Sequence, residues 1–129
     1  FPTRRSSDLR FLFNLPNKPV VILGNHDLHF LAVYYGIRDI QPDDTFQDIL
    51  ESPDTKETKD LVAWLQSQSL AYYDAKFNAL MIHAGISPAW SLEKTLNYAK
   101  EIESCLNPEK NDVDNLLHII IYLRLLTNY

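Results

Sequence analysis

The chain has 129 residues, 46% of them hydrophobic and 22% charged, which is the balance of one soluble globular domain and excludes a disordered, fibrous or multi-domain protein. Twelve Lys and Arg against seventeen Asp and Glu leave a formal charge of −5, so no whole-surface basic field is available for nucleic acid or an anionic membrane. The single cysteine, Cys105, excludes an internal disulfide framework and a Cys-based zinc site; it fits a reducing cytoplasm and reads as an inert helix thiol.

Residues 1–8 (FPTRRSSD) lack the apolar core of a signal peptide, and the only methionine is Met81. The expectation is a processed chain or a fragment. The stretch FPTRRSSDL also resembles translated adapter sequence, so residues 1–9 are expected to be non-native and the domain is read from 10 to 129. Residues 19–23 (PVVIL) form a short β-branched apolar run ending at Gly24, the pattern of a buried strand. Residues 27–35 then place Leu28, Leu31, Ala32 and Tyr35 at helical spacing, closed by Gly36. Asp44-Thr45 is expected to cap a short helix to Glu51, and Asp54-Thr55 a second with Leu61, Trp64 and Leu65 on its apolar face. Apolar runs at 70–73 and 77–82, separated by Asp74-Ala75-Lys76, predict a hairpin that stops at His83-Ala84-Gly85. Ser91 caps a long helix with Leu92, Leu96, Ala99, Ile102 and Leu106 on one face, ending at Asn107-Pro108. Acidic residues follow at 109–114. The final apolar run at 116–126 is interrupted by His118 and Arg124, and is a core helix or strand because it falls short of the roughly 18 residues of a membrane span.

The chemistry concentrates at two places. Residues 21–27 (VILGNHD) set an amide, an imidazole and a carboxylate after a buried strand and at the N-terminus of a helix, where phosphate is favoured. Residues 81–85 (MIHAG) offer a second imidazole from another strand end. Read alone, Asn25 and His26 are a helix cap and a loop histidine, and His83 a satisfied strand-end histidine. Tyr34, Tyr35, Tyr72 and Tyr73 have faces that suit stacking on a base, although packing is the better reading. Trp90 reads as packing that fixes the loop behind His83, and the acidic run at 51–60 as a solvated face.

The two blocks in this order resemble signature blocks of the calcineurin-like metallophosphoesterases. The extensions GNHDLHFLAVYYGI, TKDLVAWLQSQSL and MIHAGISPAWSLEKTLNYAKEIE resemble the bacterial symmetrical dinucleoside tetraphosphatases, over roughly residues 10–107. That resemblance implies an α/β fold, a β-sandwich flanked by helices, present here only as an incomplete central portion. It implies hydrolysis of diadenosine tetraphosphate to two ADP with two divalent metal ions, Mn²⁺ or Co²⁺, a dinucleoside polyphosphate as substrate, and a cytoplasmic location. Nucleic acid and membrane are not implied as partners. Carried over, it makes Asn25 and His83 ligands of one metal and His26 the general acid, with Gly24, Asp27, His29 and Gly85 supporting the site or facing phosphate; Asp27 steadies the loop or caps the helix. The family's Asp-x-His and Gly-Asp blocks precede its Gly-Asn-His-Asp, and residues 10–23 hold neither. His118 lacks the preceding glycine of the family's downstream histidine. The expectation is therefore a half-filled metal site and an inactive isolated chain. Two rivals stand beside it. A protein Ser/Thr phosphatase shares the blocks but commonly has glutamate where Asp27 stands and glycine where Ala84 stands; a non-catalytic binding module would keep only the scaffold.

Overall fold

A computed structural model describes residues 6–110. In chain order the elements are α1 (Ser6–Asn14), α2 (Asn25–Tyr34), α3 (Gln47–Leu50), α4 (Lys56–Gln66), β1 (Ala71–Asp74), β2 (Ala79–Ile82) and α5 (Leu92–Leu106), then a 3-10 turn at Pro108–Lys110. The apolar run at 116–126, with His118, and residues 111–114 of the acidic loop lie outside the described residues.

The core is where the helical apolar faces meet. Helix α2 buries Leu28, Phe30, Leu31 and Ala32, and α4 buries Leu61, Val62 and Leu65; these join Leu23, Phe46, Ile49 and Leu106 in one cluster. Leu9 belongs to the same cluster, and α1 lies against α3 and α4. The boundary expected at residue 10 falls inside α1. Arg10 anchors that helix from outside, with Nη1 2.6 Å from Asp48 and Nε 3.6 Å from Glu57. Burial pushes the Asp48 carboxyl up, yet hydrogen bonds from Ser6 and Arg10 and the Arg10 charge leave it below its ordinary value.

Both long helices start where their caps predict. Thr55 accepts from the Thr58 N–H to open α4, and Ser91 accepts from the Lys94 N–H to open α5, each satisfying a donor the helix cannot. The third cap differs from expectation: α3 starts after Phe46 with no side-chain cap, because the Asp44 carboxylate is committed to His29 and to the Gln41 N–H. On α5 the buried positions are Thr95, Ala99 and Leu106. Leu92, expected on that face, is exposed, and Trp90 packs edge-on against Tyr98 of α5 at 4.9 Å.

The described residues are thus helices with a small antiparallel sheet, compatible with an α/β class. Strands β1 and β2 pair Ala71 with Ile82 through Asp74 with Ala79. The second strand starts two residues later than the apolar run suggests. Asp74 Oδ1 accepts the N–H groups of Lys76 and Phe77, and Asn78 takes a φ of 49°, so 75–78 are turn. Residues 19–23 are the other correction. They make one parallel bridge, Ile22 to Ser69, with the Leu23 N–H donating to the Ser69 carbonyl at 2.8 Å. Val21 and Leu23 are buried while Val20 is exposed; the alternation of a strand is present without a ladder. No helix among the described residues is long and apolar enough to cross a membrane.

Candidate functional site

The bridge at Ile22 delivers Gly24 to the start of α2, and β2 delivers His83 to the same point. His83 Nε2–H donates to Asn25 Oδ1 at 3.0 Å, across 58 residues of sequence. Both side chains are exposed. Gly24 has φ −110° and ψ 178°, extended backbone open to any residue, so its need for glycine is steric: a Cβ there would lie 3.0 Å from His83 Nδ1 and 3.1 Å from Cε1. The imidazole rests on the glycine. Below it, the Gly24 N–H donates to Asp27 Oδ2 at 2.8 Å in a buried contact, the carboxylate half of a capping box. Asp27 therefore steadies the loop and caps the helix, in line with the expectation.

That arrangement predicts the effect of Gly24→Ala. The backbone accepts alanine, so stability is expected to change by less than about 1 kcal/mol, while the His83 ring is displaced from Asn25. Imidazole nitrogen shifts of His83 are the measurement; unchanged shifts would show that the ring does not rest on Gly24.

The amide oxygen and the imidazole nitrogen stand 3.0 Å apart, and both donor types suit Mn²⁺-like ions. The pair supplies the donor chemistry for such an ion once the Nε2 proton has left the contact, since a ligating imidazole nitrogen must be unprotonated. It does not make a closed site: among the described residues no group of three or more His, Cys, Asp and Glu could hold a metal.

His26 stands on the first turn of α2, exposed, at the mouth of a small cleft lined by Leu9, His26, Asp27, Asp43, Asp44, Thr45 and Phe46. The wall from 43 to 46 was legible only as a helix cap, and its place beside His26 is seen in the structure alone. His29 is not at the surface with His26; its Nε2–H donates to Asp44 Oδ2 at 2.9 Å, with 14% and 8% of the two side chains exposed. Gly85 is exposed, and a Cβ added to it would meet nothing within 4 Å, so no close approach explains that glycine. Tyr34 and Tyr35 pack against the core and meet edge-on at 5.1 Å, and Tyr35 donates to Gln66 Oε1. Burial raises the phenol pKa of both.

No family model matches the chain. It is similar to curated proteins named symmetrical bis(5′-nucleosyl)-tetraphosphatase: 42% identical to one from Stutzerimonas stutzeri (strain A1501) over 94% of this chain and 48% of that protein. The likeness to one from Cellvibrio japonicus (strain Ueda107) is 48% identity over 76% of the chain and 35% of the relative. One from Pseudomonas fluorescens (strain Pf0-1) is 41% identical over 94% of the chain and 45% of its own length. By sequence the chain is a homologue of part of these curated proteins, and it spans about half the length of the relatives it matches.

Proposed function

We propose that residues 10–129 are part of a metallophosphoesterase domain that hydrolyses dinucleoside tetraphosphates symmetrically in the bacterial cytoplasm, and that residues 1–9 are a non-native addition. The reading includes the β-sandwich of that superfamily, of which the 71–82 hairpin and the 19–23 segment would be parts. One observation carries it: two blocks far apart in sequence meet at the His83–Asn25 contact over Gly24. The names of the relatives favour the nucleotide substrate over a phosphoprotein.

In this reading Asn25 and His83 hold one of two divalent ions, Mn²⁺ or Co²⁺, with further donors from outside the described residues. When bound, such ions activate water and neutralise phosphoryl charge. The chain's own residues do the rest. Gly24 and Asp27 fix the loop that presents Asn25. His26 protonates the departing ADP oxygen.

Metal titration tests this on the 129-residue chain. With two donors in place, Mn²⁺ should bind weakly and no dinuclear centre should assemble; calorimetry and electron spin resonance read it. Two tight manganese ions per chain would overturn the half-site. A second reading, a non-catalytic module, is favoured by the donor count alone. A chimera in which this stretch replaces the matching stretch of the Stutzerimonas stutzeri relative separates the two: hydrolysis of diadenosine tetraphosphate supports the enzyme, and a folded, metal-loaded but inert chimera supports the module.

A further inference from the structure

His26 and His29 lie three residues apart on α2 and so share a face of the helix. That face looks onto the loop at 39–46. His29 Nε2–H donates to Asp44 Oδ2 at 2.9 Å, and the same oxygen accepts the Gln41 N–H at 2.7 Å. The His29 ring also stands edge-on to Phe46, with centroids 5.8 Å apart, and Phe46 in turn packs on Phe30 at 5.1 Å. One carboxylate thus closes its own loop and ties it to the helix. The pair is largely withdrawn from water, with 14% of the His29 side chain and 8% of the Asp44 side chain exposed. Removing His29 leaves the poorly solvated Asp44 carboxylate with the Gln41 N–H in place of two donors, and removing Asp44 takes the acceptor from His29 Nε2–H. The cleft beside His26 is built from this loop, through Asp43, Asp44, Thr45 and Phe46.

We infer that His29 and Asp44 are a positioning pair, which holds the 43–46 wall in place against the His26 cleft and so fixes how a bound nucleotide leaving group is presented to His26. Neither residue touches the reacting atoms. The inference rests on the proposed role of His26, and its structural half is testable without it.

Two substitutions separate the hydrogen bond from the bulk of the side chain. His29→Gln keeps an N–H donor within reach of Asp44, whereas His29→Leu keeps volume and removes the donor. In the 129-residue chain, amide hydrogen exchange at 41–46 should be slow in the parent and in His29→Gln and at least about tenfold faster in His29→Leu, with exchange in α4 unchanged. Equal protection in all three overturns the inference. In the chimera described above, His29→Leu should lower kcat by about 10- to 100-fold per folded, metal-loaded molecule, with KM changed less than about threefold, and His29→Gln should recover most of the loss. A residue that merely stabilises the fold would lower the thermal midpoint and leave kcat per folded molecule unchanged, and that result also overturns the inference. If the parent chimera itself is inert, the hydrolase reading fails, and the exchange measurement alone decides whether the pair positions the wall.

Discussion

Replacing Phe30 with alanine is expected to unfold the chain. Phe30 is 1% exposed and lies between Phe46, edge-on at 5.1 Å, and Tyr34 at 6.4 Å. Truncating a buried phenylalanine costs about 3–5 kcal/mol, because the cavity adds to the lost transfer energy. A single domain has only about 5–15 kcal/mol in total, and this one is expected to sit low in that range. Its sheet among the described residues has two strands, and an isolated hairpin is marginal in water. The 19–23 segment adds one bridge, while Val20, Phe77 and Met81 expose apolar surface. Aggregation and a partly molten state are expected to follow the substitution. Phe30→Leu, which retains most of the volume, should cost roughly a third to a half as much. Denaturant unfolding followed by near-ultraviolet dichroism measures both. A loss under about 1 kcal/mol for the alanine variant would mean that the core does not depend on this ring. The expectation has a consequence for the site, since α2 carries Phe30 on one side and Asn25 and His26 at its start. Core and site share one rigid element.

What the sequence made legible was local. Thr55 and Ser91 cap their helices as their positions predict, because a cap depends on a side chain and a donor three residues apart. The hairpin at 71–82 was legible for the same reason, with Asp74 bonding the turn it opens. Non-local features were not. Residues 19–23 have a strand's alternation, but a ladder needs a neighbour, and alternation says nothing about whether one is present. The Asp44 carboxylate looked like a cap for α3; its partner His29 lies 15 residues back on another element, and no spacing rule connects the two. Leu9 and Phe13 have the i, i+4 spacing of a helix face, but residues 1–9 were set aside for their resemblance to adapter sequence, so the packing of Leu9 was not read. At the site, each block was legible by itself, whereas the wall at 43–46 became visible only through the cleft it shares with His26. The Gly24 requirement was half legible. A glycine after a strand suggests a turn, but the cause is the His83 ring lying over it.

In the chimera, His26→Ala and His83→Ala are expected to fail in different ways. His26 is exposed on the first turn of α2 and shares its cleft with Asp43 and Thr45, and it makes no part of the Asn25–His83 pair. Its loss should lower kcat by about 10²- to 10⁴-fold, the range of general acid catalysis, with manganese content nearly intact. His83→Ala removes one of two donors and the ring that rests on Gly24, so metal and activity should fall together. Elemental analysis of the purified variants reads the first difference. The second comes from the substrate: a nucleoside diphosphate ester with a good aryl leaving group needs less protonation as its bond breaks, and should restore much of the rate to His26→Ala and little to His83→Ala. The 129-residue chain by itself should hydrolyse diadenosine tetraphosphate no faster than buffer, because its described residues hold no closed metal site to generate the nucleophile. Manganese-dependent turnover by that chain, abolished by Asn25→Ala, would show that the missing donors come from residues assigned here to loops or from a second copy of the chain. Equal metal loss in both histidine variants would instead move His26 from proton donor to ligand.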